Sequence, residues 1–114
     1  MNTQGIPINR KPYTFSFACS DENTDIQPNV GRLIDIVIPI TFTATKIAIS
    51  FKEHTGNSVI VIVRNGIVVK SIAVSSQYTI TSGLGLVEGD TIWVNTLNMA
   101  NGSKGLKIYF VGYT

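Results

Sequence analysis

One short stretch constrains this chain more than any other. Val59-Ile60-Val61-Ile62-Val63 and Ile67-Val68-Val69-Lys70 flank Arg64-Asn65-Gly66. Asn-Gly between two β-branched runs predicts a hairpin with a two-residue type I′ turn, because that turn needs φ > 0 at both central positions. The run Val59–Val63 does not alternate, so it is apolar on both faces. A strand of that kind must be covered on both sides. Either a second subunit covers the outer side, or the polar loop Ser20–Gly31 does.

The rest of the chain repeats this grammar. Val, Ile, Thr, Tyr and Phe are punctuated by Gly and Asn, and no segment keeps helical periodicity over three turns. Tyr13-Thr14-Phe15-Ser16-Phe17-Ala18-Cys19 alternates, placing Tyr13, Phe15, Phe17 and Cys19 on one face. Leu33–Ile40 puts Ile34, Ile36, Ile38 and Ile40 on one face, with Pro39 marking an edge or a bend. Thr45–Lys52 sets Ile47, Ile49 and Phe51 opposite Lys46, Ser50 and Lys52. Ile72–Val74 continues the hairpin's return strand, and Tyr78–Thr81 is a short strand. Ser82-Gly83-Leu84-Gly85 and Glu88-Gly89-Asp90 read as turns. Thr91–Leu97 and Lys104–Tyr113 close the chain. Eight strands predict an all-β, two-sheet antiparallel sandwich of the jelly-roll type. Residues 1–11 read as an extended N-terminal arm ahead of one β-sandwich domain, 12–114. Gly105 and Gly112 mark close backbone approach or a bulge.

Composition bears on what such a body can do. Of 114 residues, 44% are apolar and only 14% are charged, against about 25% charged in an average globular chain. The surface is therefore mostly Thr, Ser, Asn and Gly, which tolerates protein contact. The net charge of +2 is spread over scattered Lys and Arg, with only Arg10 and Lys11 adjacent. Nucleic-acid binding calls for clustered charge, so no nucleic-acid partner is expected. No apolar stretch approaches the ~18 residues of a membrane helix, and Met1–Pro7 lacks the pattern of a signal peptide.

Catalytic chemistry is sparse. The one histidine, His54, must serve any triad or dyad, and it reads as an exposed turn residue. The one cysteine, Cys19, reads as a small core residue. Asp21-x-x-x-Asp25 could suggest calcium, but it lacks the glycine-spaced acidic loop of an EF-hand. Gly83-Leu84-Gly85 lacks the Lys and the helix of a phosphate loop. The expectation is no enzyme activity, no metal and no cofactor. The aromatics carry more information. Trp93, Tyr109 and Tyr113 lie opposite Ile92, Val94, Ile108 and Phe110, which places them on an outer face as a subunit contact or a carbohydrate-stacking platform.

An ordered set of pieces runs through residues 40–113. It comprises Ile40–Ile47, the Arg64-Asn65-Gly66 hairpin, Leu86–Val94 with Gly89-Asp90, and Lys104-Gly105-Leu106-Lys107-Ile108-Tyr109-Phe110-Val111-Gly112-Tyr113. It resembles the small β-sandwich domains of tailed-phage virion proteins, both capsid-decoration and tail or fibre modules. More distantly it resembles trimeric jelly rolls of the tumour-necrosis-factor and C1q type. The resemblance implies a structural protein of the virion, made in the host cytoplasm. A decoration or cement protein docked on the major capsid protein is expected ahead of a tail module that binds surface glycan. It also implies a homo-oligomer, most simply a trimer. The residues expected at contacts are Arg10, Lys11, Val59, Val61, Val63, Trp93, Tyr109 and Tyr113.

Overall fold

The computed structural model describes residues 10–28 and 32–114. Among the described residues there are eight strands, β1 (Pro12–Ala18), β2 (Ile34–Val37), β3 (Phe42–Ser50), β4 (Ser58–Arg64), β5 (Ile67–Val74), β6 (Tyr78–Leu86), β7 (Thr91–Asn98) and β8 (Lys107–Tyr113). They form two antiparallel four-stranded sheets. Sheet A has the order β1-β8-β3-β6 and sheet B the order β2-β7-β4-β5. This is the interleaved order of a jelly roll. Only β4–β5 joins neighbours within one sheet, and every other connection crosses the sandwich.

That one hairpin is the Asn-Gly hairpin, with φ of 52° at Asn65 and 84° at Gly66, as a type I′ turn requires. The core is filled by the inward-facing residues of each strand. Ile47, Ile49, Ile108 and Phe110 of sheet A pack with Ile60, Ile62, Ile92 and Val94 of sheet B. Burying each fully contributes roughly 1.5–3 kcal/mol. Tyr13, Phe15 and Phe17 close the core from edge strand β1. Tyr13 meets Phe42 edge-on at 4.7 Å, and Phe17 lies 5.8 Å from Phe110.

Two expectations about the strands need correction, at Ser82–Gly85 and at Ile40, while Gly105 and Gly112 are the close approaches expected. Ser82–Gly85 is not a turn but the second half of β6. Its glycine has a packing reason: a Cβ on Gly83 would lie 1.9 Å from the Ala44 carbonyl oxygen. On the other side of β3, a Cβ on Gly112 would lie 1.8 Å from the Thr43 oxygen. Between these glycines β3 carries a bulge, where its register with β8 shifts between Ala44 and Lys46. Ala44 faces the core before the bulge and Ile47 faces it after, so the bulge lets one strand bury both. Gly105 is likewise a close approach, with φ of 68° and Lys52 beside it. Ile40 lies past the end of β2 and is exposed, unlike Ile38.

The edge of sheet A extends to the last two residues assigned to the arm. The Thr114 amide donates to the Lys11 carbonyl at 3.0 Å, and the Arg10 guanidinium lies 4.7 Å over the Tyr113 ring. The first nine arm residues lie outside the described residues, as does the end of the 20–31 loop.

Candidate functional site

Strand order decides which outward residues can act together, and it separates the expected contact residues into two groups. Strands β7 and β8 belong to different sheets. Trp93 therefore stands on the outer face of sheet B, and Tyr109 and Tyr113 stand on the outer face of sheet A, across the sandwich. The single aromatic face expected from alternation does not form, because alternation gives a side chain's face but not its strand's neighbours.

On sheet B, interior strand β4 presents Val59, Val61 and Val63 outward. Val63 pairs with Trp93 on one side and Val68 on the other, and Val61 pairs with Asn95 and Ser71. Val61 and Val63 are buried within the single chain, in a carpet made by their neighbours in the sheet. The exposed apolar groups stand around them: Val37 at 62%, Val68 at 58%, and Leu97. The sequence reading missed these three. Val37 had a signal, since it sits outward in Ile34-Asp35-Ile36-Val37. The charges on the β2 side neutralise each other. Arg32 donates to Asp35 at 2.8 Å and lies 5.0 Å over the Trp93 ring. Four strands about seven residues long span a projected area of about 400 Å². Exposed Val37, Val68 and Leu97 are the apolar groups this face presents to a partner, interspersed with Asn95 and Ser71.

The outer face of sheet A differs. Its central rows are Ser16 and Ala18 on β1, Lys107, Tyr109 and Val111 on β8, Lys46, Ala48 and Ser50 on β3, and Tyr78, Ile80 and Ser82 on β6. Ala48 is buried between taller neighbours and floors a trough of about 300 Å³ lined by Lys46, Ser50, Tyr78, Tyr109 and Val111. On the other side of Tyr109 lies a second trough of about 280 Å³, with Ser16, Ala18 and Lys107. Tyr109 is thus a ridge between two concavities, each with one lysine.

His54 is the largest departure from the sequence reading. It is 5% exposed and stacks on Phe51 at 4.5 Å. Its Nε2 lies 2.8 Å from Ser58 Oγ, which also accepts the Ala100 N–H at 2.9 Å and lies 3.4 Å from Met99 Sδ. Burial lowers the imidazole pKa, against an opposing contact from the Ser76 backbone. His54 borders a cavity of about 400 Å³ with Glu53, Gln77 and Lys104, but Ser58 does not line it. The pair has the spacing of a nucleophile and base, yet the serine is buried and held by three groups. It pins the 51–58 segment to the 99–103 loop. The Glu53–Lys104 bridge joins the same two segments, and Lys104 also pairs with Asp25 at 2.9 Å.

The opposite end of the sandwich is tied by carboxamide and carboxylate. Asn65 Nδ2 donates to Asp90 Oδ1 at 2.9 Å, the Thr91 N–H donates to Asn65 Oδ1, and the Val87 N–H donates to Asp90 Oδ2. The Val87 amide, then Asn65, hold the Asp90 carboxyl below its ordinary pKa. Asp21 is lowered by the amides of Asn23 and Thr24, which cap it locally. Cys19 is buried as expected, and desolvation pushes its thiol to about 12, the wrong direction for a nucleophile. Among the described residues, no group of three His, Cys, Asp or Glu side chains is placed to hold a metal. No protein-family model matches the chain, and no curated protein matches it.

Proposed function

We propose that this chain is a non-enzymatic structural protein of a bacteriophage particle, a capsid-decoration protein that self-associates and docks through the outer face of sheet B. The observation that carries the docking role is that face. Exposed Val37, Val68 and Leu97 surround a buried valine row and Trp93, and on the β2 side Arg32 and Asp35 neutralise each other. The phage setting rests on the resemblance of residues 40–113 to virion β-sandwich domains. A trimer of jelly rolls, or a trimer seated on the major capsid protein, would cover this face, and a stable interface of about 800 Å² per partner would extend beyond it onto the neighbouring loops.

Immunogold labelling of purified particles with antibody against this chain tests the reading. Label over the heads is the expected result. Label at the tail tip would replace decoration with host attachment, and unlabelled particles would remove the virion role altogether.

A further inference from the structure

We propose that the trough on the outer face of sheet A binds an acidic saccharide, with sugar rings stacked against Tyr78 and Tyr109 and a carboxylate on Lys46. The inference stands apart from the docking role of sheet B, which lies on the opposite side of the sandwich.

The trough exists because a small residue sits where tall ones surround it. Ala48 pairs with Tyr109 on β8 and Ile80 on β6, and the next outward pair on β6 is Tyr78 with Ser50. The tyrosines are two strand spacings apart and offset by two residues along the strands, about 12 Å in all. Tyr78 is 56% exposed, well above what an aromatic serving only the core would show. Among the described residues neither tyrosine hydroxyl is engaged and Lys46 forms no ion pair. A volume of about 300 Å³ is at the small end for a ligand site, which suits one or two sugar units.

Charge gives the class of sugar. The central rows of this face carry Lys46 and Lys107 and no carboxylate. The nearest acid to Lys107 is Glu22, 3.8 Å from it and outside those rows. Each lysine belongs to one of the two troughs beside the Tyr109 ridge. An oligosaccharide laid across the strands would meet the unpaired Lys46 in the first trough and Lys107, which shares its charge with Glu22, in the second, so longer acidic oligomers should bind modestly more tightly than single sugars.

An acidic peptide is the competing occupant, and the backbone disfavours it. Strands β3 and β8 are interior, and their amides and carbonyls are already committed to ladders with β6, β1 and each other. A peptide lying here could add no main-chain hydrogen bonds, which supply much of the affinity when a strand docks on a sheet. Sugar rings need only aromatic faces and side-chain polar groups, and both are present.

The test is a nuclear magnetic resonance titration of the full chain. The acidic probes are oligosaccharides of hyaluronan, mannuronate and α-2,8-linked sialic acid. The controls are neutral chitohexaose and polyglutamate. Shifts at Ala48, Tyr78 and Tyr109 with at least one acidic saccharide, and weaker ones with chitohexaose, are expected. Tyr78→Ala should weaken that binding about tenfold. Lys46→Gln, which leaves the trough's shape intact, should erase the preference for acid over neutral sugar. Binding to none of the three acidic probes would overturn the proposal. So would equal binding of chitohexaose, or polyglutamate binding that Tyr78→Ala leaves unchanged.

Discussion

The two outer faces of this sandwich are built from the same kind of strand and differ in relief and charge. Sheet B is a smooth carpet: Val63 lies buried between Trp93 and Val68, Val61 lies buried between Asn95 and Ser71, and Arg32 and Asp35 cancel each other. Sheet A is ridged: Tyr109 stands between two troughs, Ala48 floors one of them, and Lys46 has no acidic partner among the described residues. A flat apolar surface suits another protein, because large area and excluded water do the binding. A ridged surface with rings and a free cation suits a small polar ligand. The difference comes from a few outward positions, valine on β4 against alanine and lysine on β3, and leaves the shared core unchanged.

The largest expected effect separates the sheets at the level of the backbone. Gly83 and Gly112 flank the β3 bulge so closely that a methyl group at either would strike a carbonyl oxygen. Gly112→Ala or Gly83→Ala should destabilise the fold by about 4 kcal/mol or more, read as loss of a cooperative melt or a large fall in Tm. Ser71→Ala, an exposed change on sheet B, should move stability by no more than about 0.5 kcal/mol. Equal effects would mean that the bulge is not the seam that holds sheet A.

A smaller effect concerns the tie at the Asn-Gly end. Asn65→Gly keeps a residue that tolerates φ > 0 and removes the bonds to Asp90 and Thr91. The cost should be about 1–2 kcal/mol by denaturant unfolding. Asp90 adds a pH dependence with a definite sign. Its folded-state pKa lies below the unfolded value, so its stabilisation is complete above that value and lost as pH falls through the folded one. Stability should therefore drop on acidification below about pH 4, and less steeply in Asp90→Asn. An identical slope in that variant would show that other carboxylates carry the effect.

The smallest expected effect lies at the His54 end. The buried ring also has a lowered pKa, so the unfolded chain takes up the proton first as pH falls below the ordinary value of 6.5. Wild-type stability should fall modestly between neutral pH and about pH 5. His54→Gln should start lower, having lost the Phe51 stack and the Ser58 contact, and vary less with pH over that range. A steeper dependence in the variant would contradict the buried, neutral assignment.

Much of this architecture could be read from the chain, and the failures share one cause. Tyr13-x-Phe15-x-Phe17 and the Asn65-Gly66 turn declare themselves, because alternation and φ > 0 are local properties. Gly83 reads locally as a turn residue, because the reason for it lies across the ladder, at Ala44. His54 looked exposed because its turn is polar, while the Phe51, Ser58 and Met99 groups that enclose it arrive from other segments. Trp93 and Tyr109 both point outward by alternation, and only the strand order β2-β7-β4-β5 against β1-β8-β3-β6 separates them. The Ala48 trough had no sequence signal at all, since it is a gap defined by neighbours on two other strands.

The central claim is that sheet B, and not sheet A, is the protein-docking face. Sedimentation velocity on three chains tests it most directly: wild type, Val68→Glu and Ile80→Glu. The two substitutions place the same charge at outward strand positions of similar exposure, 58% and 51%, on opposite faces. Wild type and Ile80→Glu should sediment as the same oligomer at micromolar concentration, and Val68→Glu as a monomer with an unchanged circular-dichroism spectrum. A wild-type monomer, or an oligomer dispersed by Ile80→Glu and untouched by Val68→Glu, would contradict the account.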